Sequence, residues 1–237
     1  MNRLQQLFGR PEILYRGAPI NPLPSPERKI NLLLSRLSEI RSILNTRDVN
    51  LLARNTGASY QINDAEKGVF RIPVWGDLVE VTSPDFVAYP TNSIQPLNAV
   101  IQGLILYHFL TADGTPESGS LISFSELPDG RFYTQAFQGY TGGELARHFK
   151  DDLASFRDAA KNQAGIPQRV GDAAFTFRLF PNVNLAAVCW LGDEDFPTNY
   201  QILFDASVAH HLPTDACAIA GSLLTRKLIS AGKAEPR

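Results

Sequence analysis

The chain has 237 residues, of which 44% are hydrophobic and 19% are charged, and its formal net charge at pH 7 is −2. A chain of this length buries about 70% of its unfolded surface, so it needs neither a disulfide nor a metal ion to fold. The small net charge removes the electrostatic reason to expect nucleic acid or an anionic membrane as a partner, and we predict that the protein binds neither.

The two cysteines, Cys189 and Cys217, both lie in apolar segments. Such cysteines are typical of inert core residues. A zinc or iron–sulfur site made of cysteine alone needs about four thiolates, so the cysteines of this chain alone assemble no cofactor. The sequence identifies no other cofactor.

The opening segment MNRLQQLFGRPEI lacks the apolar run of a signal peptide. The longest apolar stretch, residues 104–110, is too short to span a bilayer. We therefore predict a cytoplasmic protein.

Residues 1–25 are a proline-rich N-terminal segment, which we call the arm. Prolines from Pro11 to Pro26 exclude regular helix, while apolar side chains such as Phe8 and Leu14 remain. We predict that the arm lies on the domain or docks on a partner protein. Residues 26–232 are predicted to form a single α+β domain, followed by a disordered tail over residues 233–237.

Two helices are predicted at the start of this domain. Ser25-Pro26-Glu27 is typical of a helix start, and apolar residues recur at helical spacing from Ile30 to Leu44. A second, short helix is predicted over residues 47–54, with Gly57 closing it.

The next part of the chain is predicted to pass from strands to a helix and a loop. Residues 58–87 contain short Val-, Phe- and Ile-rich runs divided by Gly and Pro, which favours β-hairpins. Pro96 is predicted to open a helix that ends near Ala112. Residues 111–120, TADGTPESGS, are predicted to be a loop, and the alternation in RFYTQAF indicates a strand.

The last part of the chain is predicted to be a helix, three strands and a closing helix. Residues 141–144 have the spacing of a capping box, and the helix behind them is expected to run to Gly165 with a break near residues 151–152. AAFTFRLF, LAAVCWL and YQILFDA are predicted strands, and a final helix begins at Pro213. Helices before and after antiparallel strands favour the α+β class over a doubly wound sheet.

One patch, residues 190–215, concentrates polar side chains, whereas no catalytic or nucleotide-binding motif occurs in the sequence. Carboxylates and imidazoles together can bind a divalent metal or divide acid and base roles. The same residues are also typical of a solvated turn and a strand-end cap. Two adjacent histidines cannot face the same side of a strand, so at most one would join a site. The candidate ligand-binding residues in the patch are Trp190, Asp193, Glu194, Asp195, Asp205, His210 and His211.

His108 is the other candidate ligand-binding residue. On a helical wheel it falls between Ile101 and Leu104, in the centre of the apolar stripe. We predict that its ring is buried and neutral and has a polar partner. A role in lining a pocket or binding a ligand stays open.

Several segments together resemble a bacterial and archaeal family known as a domain of unknown function. They are LYHFLTADGTPESGSLISFSELPDGRFYTQAF, GDAAFTFRLFP, CWLGDEDFP and ILFDASVAHHLPTD, and the similarity extends over residues 35–230. Some members resemble fusions of this domain to a four-cysteine iron–sulfur domain of the type seen in corrinoid proteins of one-carbon metabolism. The resemblance implies a role near corrinoid, tetrapyrrole or iron–sulfur chemistry, although this chain has no such cysteine cluster.

These observations favour a non-catalytic accessory protein that binds a cofactor or a protein partner near His108 and the 190–215 patch. One alternative is a metal-assisted hydrolase or transferase that uses the carboxylates and one histidine of the patch. Another is a structural subunit that docks through the arm. No residue is assigned a catalytic role.

Overall fold

The computed structural model describes residues 26–62 and 67–232, and it describes side chains of the first helix from Leu33 onward. The predicted arm, residues 1–25, and the predicted disordered tail, residues 233–237, lie outside the described residues.

Most helices and strands follow the expected order, but the segment RFYTQAF is helical, and two short strands at residues 121–123 and 166–168 were not predicted. The α-helices are α1 (Pro26–Leu44), α2 (Val49–Thr56), α3 (Ala99–Thr111), α4 (Thr134–Tyr140), α5 (Gly142–Phe149), α6 (Leu153–Asn162) and α7 (Thr214–Gly232). The strands are β1 (Ser59–Ile62), β2 (Gly68–Val74), β3 (Asp77–Ser83), β4 (Ala88–Pro90), β5 (Leu121–Ser123), β6 (Ile166–Gln168), β7 (Ala173–Phe180), β8 (Val183–Trp190) and β9 (Asn199–Asp205).

Two antiparallel sheets and the helices packed on them form one α+β domain, which confirms the predicted fold class. The first sheet has the strand order β1-β2-β3-β4, and the second has the order β5-β9-β8-β7-β6. The longest pairings join β7 to β8 and β8 to β9. Strand β8 is central and buried along almost its whole length, as its continuous apolar sequence predicts.

Helix α3 is the centre of the core. Every residue from Gln102 to Phe109 is buried, and a helix that is apolar all round is typical of a protein interior. Helix α1 packs against it, with Leu33 and Leu37 above Gly103. The amide of Gln102 bonds both backbone groups of Ala88, at 3.0 and 3.2 Å, and so holds β4 to the helix.

The helix boundaries differ from the sequence predictions in detail. Helix α3 begins at Ala99 rather than Pro96, because the side chain of Asn98 caps it by accepting hydrogen bonds from Val100 N and Ile101 N. The predicted capping box at Thr141 is wrong, since that hydroxyl is buried and donates to Phe137 O at 2.6 Å instead. The predicted break near residues 151–152 is confirmed between α5 and α6.

The segment RFYTQAF was predicted as a strand and is helical. Phe132 is 91% exposed. Tyr133, Phe137 and Tyr140 are instead spaced by four and three residues, which places them on one helix face. Phe137 then stacks on Phe124, with ring centroids 4.1 Å apart. The segment therefore forms a helix rather than a strand, because the helix packs these aromatic rings together.

None of the described helices combines the length and the apolar character that crossing a bilayer requires.

Candidate functional site

The 190–215 patch divides into two groups at opposite ends of β9. The acidic turn, residues 191–198, precedes Asn199, whereas Asp205 is the last residue of the strand. Six steps of a strand separate these ends by about 20 Å. Trp190 pairs with Asn199 and therefore belongs to the acidic-turn end. The predicted site residues consequently do not converge on one ligand.

The acidic turn is exposed and is organised by its own backbone. The Asp193 carboxylate accepts hydrogen bonds from Asp195 N and Phe196 N, each at 2.9 Å. These backbone donors, Phe196 first, lower the pKa of Asp193. Glu194 and Asp195 are also exposed in this turn. Trp190 itself is half-buried against a small apolar cluster formed by Ala174, Ala186 and Val188.

Asp205 fastens the loop that follows α3 to the end of β9. Its Oδ1 accepts hydrogen bonds from both the backbone N and the hydroxyl of Ser118 and of Ser207, and its Oδ2 accepts from Gly119 N at 2.8 Å. Burial of this carboxyl group raises its pKa, but the hydrogen bonds from Ser207 and Ser118 outweigh burial and lower it to about 2. Asp205 is therefore an ionised, fully bonded structural carboxylate.

The two adjacent histidines have different environments. His210 is exposed, and its Nδ1 lies 2.8 Å from Asp113 Oδ2. His211 is fully buried, and its Nε2 donates to Thr115 O at 2.8 Å. Its Nδ1 then carries the lone pair and has no hydrogen-bond partner among the described residues. Burial first of all lowers the pKa of His211. Both histidines thus contact the loop that Asp205 also holds.

His108 lies in the interior, as predicted. Its side chain is fully buried, and its ring stacks on Phe180 with centroids 4.2 Å apart. Its two nitrogens face the carbonyl oxygens of His211 at 3.4 Å and of Thr56 at 3.3 Å. Burial lowers the pKa of His108 to about 4, although the Thr56 carbonyl opposes the shift. The ring links α3 to the end of α2 and to the turn before α7.

A metal-binding arrangement does not emerge from these side chains. Within residues 26–62 and 67–232, no three His, Cys, Asp or Glu side chains are grouped so that they could hold an ion. Both cysteines are buried and free, and burial raises the pKa of each thiol.

A cavity of about 510 Å³ opens elsewhere, between the β2–β3 hairpin, the start of α3 and the last turns of α7. We call it the hairpin groove. Aliphatic side chains and a proline form most of its wall, and Trp75, Asp77, Thr91 and Lys227 supply its aromatic, charged and polar groups. This size is typical of small-molecule sites, which are mainly apolar with a few polar groups. The groove was not predicted from the sequence.

Trp75 occupies an unusual position at the tip of the hairpin. Val74 pairs with Asp77, so the loop consists of Trp75 and Gly76 alone, and their φ angles are +54° and +88°. Positive φ at both residues defines a type I′ turn, in which Asn-Gly is preferred. A left-handed backbone costs a residue with a side chain about 1–2 kcal/mol, and such strain often marks a functional position. The dipeptide Trp-Gly between two strand-like runs is a sequence signal that could have identified this two-residue turn.

Two groups of the groove, the Trp75 indole N–H and the Lys227 ammonium group, lack strong partners among the described residues. The indole N–H of Trp75 is buried and has no acceptor among the described residues. Lys227 lies above the Trp75 ring, with its Nζ 6.0 Å from the ring centroid, and its one hydrogen bond reaches Gln163 Oε1 at 3.4 Å. Backbone N–H of Trp75 donates to Leu179 O at 3.0 Å, which ties the hairpin tip to the second sheet.

The fold and the hairpin groove together define an α+β domain with an open, largely apolar cavity. Residues 48–227 match the model of the family described as "Domain of unknown function (DUF3786)", so the chain belongs to this family. The match includes every residue that lines the groove and all the candidate residues of the sequence analysis. Neither a curated protein nor a solved structure matches the chain.

Proposed function

We propose that this domain is a non-catalytic binding protein whose small-molecule ligand lies in the hairpin groove. The observation that carries the proposal is the coincidence, in one cavity of about 510 Å³, of apolar walls with the ammonium group of Lys227, whose contact with Gln163 Oε1 is long at 3.4 Å. A bound ligand would supply a stronger acceptor.

The polar residues outside the groove support a non-catalytic role. Asp205 accepts its hydrogen bonds from the loop that it fastens, and His108 faces two backbone carbonyl oxygens. A catalytic acid or base needs access to the substrate, whereas these side chains are buried. Their roles are explained by the fold alone.

We also propose two more specific roles, a link to a cofactor and docking of a protein partner. A link to corrinoid, tetrapyrrole or iron–sulfur chemistry is supported by the family resemblance, and the ligand would then be a cofactor brought by a partner. An absorption spectrum and a metal analysis of protein purified from its native host test this link. Docking of a protein partner through residues 1–25 concerns residues outside the described part of the chain.

Binding in the groove is tested with N-phenyl-1-naphthylamine, a neutral apolar dye that fluoresces when it leaves water. Titration into the full chain should show saturable binding with one dye molecule per chain. Ile101→Trp places a larger side chain in the groove wall and should abolish this binding. The matched control Leu51→Trp changes an exposed residue of α2 and should leave it unchanged.

Unfolding midpoints of both variants should be measured in parallel, because an oversized side chain can also strain a core. Dye binding that survives Ile101→Trp, or that is equally weakened by Leu51→Trp, would refute the groove as the site.

A further inference from the structure

We infer that the ligand of the hairpin groove is an organic acid: an apolar body with one oxyanion head group, bound by Lys227. The inference rests on the proposed function, since it names the chemical class that the groove accepts. It follows from the charge of Lys227, from the acceptor that it lacks and from the apolar wall beside it.

Lys227 is a cation without a counter-ion. No carboxylate lies within 4.0 Å of its ammonium group in the part of the chain that the structure describes. Its contact with Gln163 Oε1, at 3.4 Å, is long and involves a neutral amide. The side chain is half-buried, so its head group is less completely hydrated than that of a fully exposed lysine. An anion is the ligand that such a group attracts most strongly.

Trp75 completes the largely apolar surroundings of this cation. Lys227 Nζ lies 6.0 Å from the centre of the indole ring, and aliphatic side chains form most of the remaining wall of the groove. The indole N–H itself is buried, so Lys227 is the group that an anion can reach. A cation next to an apolar wall matches a carboxylate, sulfonate or phosphate group on an apolar body.

Asp77 is the opposing charge, and it provides the control. It lines the groove and is exposed. Had the groove favoured a cation, Asp77 would be the group that binds it, and Lys227 would repel it. If the ligand is an anion, removing the charge of Lys227 should weaken its binding, whereas removing the charge of Asp77 should not. A cationic ligand would show the opposite result.

The test compares two ligands that share a seven-carbon alkyl chain and differ in the head group alone. Octanoate and heptanol are used to displace N-phenyl-1-naphthylamine from the full chain at low salt. Octanoate should bind roughly twofold to fivefold more tightly than heptanol, as expected for one partly screened ion pair. Inorganic phosphate should not displace the dye, since it has no apolar body.

Three variants locate the preference. Lys227→Met keeps the apolar stem and should abolish the advantage of octanoate, whereas Lys227→Arg should retain it. Asp77→Asn should leave it unchanged or increase it.

The two proposals fail in different ways. If the dye does not bind, the proposed function is wrong. If the dye binds but heptanol displaces it as well as octanoate does, the inference about an acidic ligand is wrong. The inference is also wrong if Asp77→Asn rather than Lys227→Met removes the preference. The comparison in the unmodified chain decides this even where a variant fails to fold.

Discussion

Two buried residues, Asp205 and His108, connect the stability of this domain to pH. Both are tied to the backbone of segments distant in sequence: Asp205 to the loop at residues 118–119, and His108 to the end of α2. Their pKa values in the folded chain differ from those in the unfolded chain, and such differences make stability depend on pH. Each makes a separate prediction.

Replacing Asp205 with Asn should destabilise the fold by about 2–4 kcal/mol. An amide has one oxygen and a donor group, so it cannot accept from Ser118 N, Gly119 N and Ser207 N at once. Urea unfolding at pH 7 measures the loss, and Asp193→Asn is the matched control, because that carboxylate is exposed. A loss below about 1 kcal/mol would contradict the assigned role.

The same carboxylate should make the domain sensitive to strong acid. The pKa of Asp205 is lowered to about 2, below the usual value for aspartate of about 3.9. The stability that the ionised Asp205 contributes is therefore fully present above the pKa of this group in the unfolded chain. It is lost as pH falls from about 4 to 2.

His108 should weaken the fold at mildly acidic pH. Its pKa is about 4 in the folded chain and about 6.5 unfolded, so the unfolded chain binds the proton more readily. Stability is full above pH 6.5 and falls by about 3 kcal/mol as pH drops to 4. His108→Gln keeps a donor but does not titrate, and it should flatten this part of the pH profile. An NMR titration giving His108 a pKa at or above 6.5 would contradict neutral burial.

At the scale of elements, the hairpin turn combines a required glycine with a strained tryptophan. Gly76 has a φ of +88°, and a Cβ added there would meet nothing within 4 Å. Gly76→Ala should therefore act through backbone strain alone and destabilise the fold by about 1–2 kcal/mol.

Gly139 is the matched control for this change, because it is also free of neighbours within 4 Å but lies inside α4. Gly139→Ala should stabilise the fold by about 0.5–1 kcal/mol. Chemical denaturation of both variants provides the comparison. If both substitutions destabilise the fold, or both stabilise it, the left-handed turn conformation is not the cause of the effect of Gly76→Ala.

The acidic turn between β8 and β9 is expected to be a local structure without a metal. Changing Asp193, Glu194 and Asp195 together to Asn, Gln and Asn should alter stability by less than about 1 kcal/mol. The Asn at position 193 can still accept hydrogen bonds from the two backbone N–H groups that form the turn.

The complementary measurement is calorimetric titration of the protein with magnesium, manganese, zinc and calcium, in the unmodified chain and in the triple variant. A bound ion would stabilise the folded state by mass action. Tight one-to-one binding that the triple change abolishes would overturn the expectation.

At the scale of the whole molecule, the described core should be self-sufficient. Its buried hydrophobic residues extend from Leu33 to Leu228, and the family match begins at residue 48. Deleting residues 1–24 should therefore leave a cooperative thermal transition, with a midpoint lowered by no more than a few degrees. Loss of the transition would show that the arm is part of the core.

Much of the architecture could be predicted from the sequence because local spacing decides it. Apolar residues at helical period predicted α1, and the alternating and continuous apolar runs predicted β7, β8 and β9. The helical wheel also predicted that His108 faces the interior, because a helix fixes which side chains share a face. The segment RFYTQAF is compatible with both the strand and the helix spacing of apolar residues. There the packing of Phe137 against Phe124 favours the helix.

By itself, then, the sequence determined the α+β class, the order of most elements and the burial of His108, since these depend on residues a few positions apart. Only the tertiary structure decided which polar residues meet. It separated the acidic turn from Asp205 along β9 and joined Asp205 to a loop nearly ninety positions away. It also formed the hairpin groove from residues 74–101 and Lys227. Contacts between distant positions depend on how whole helices and sheets pack, which no local pattern of residues encodes.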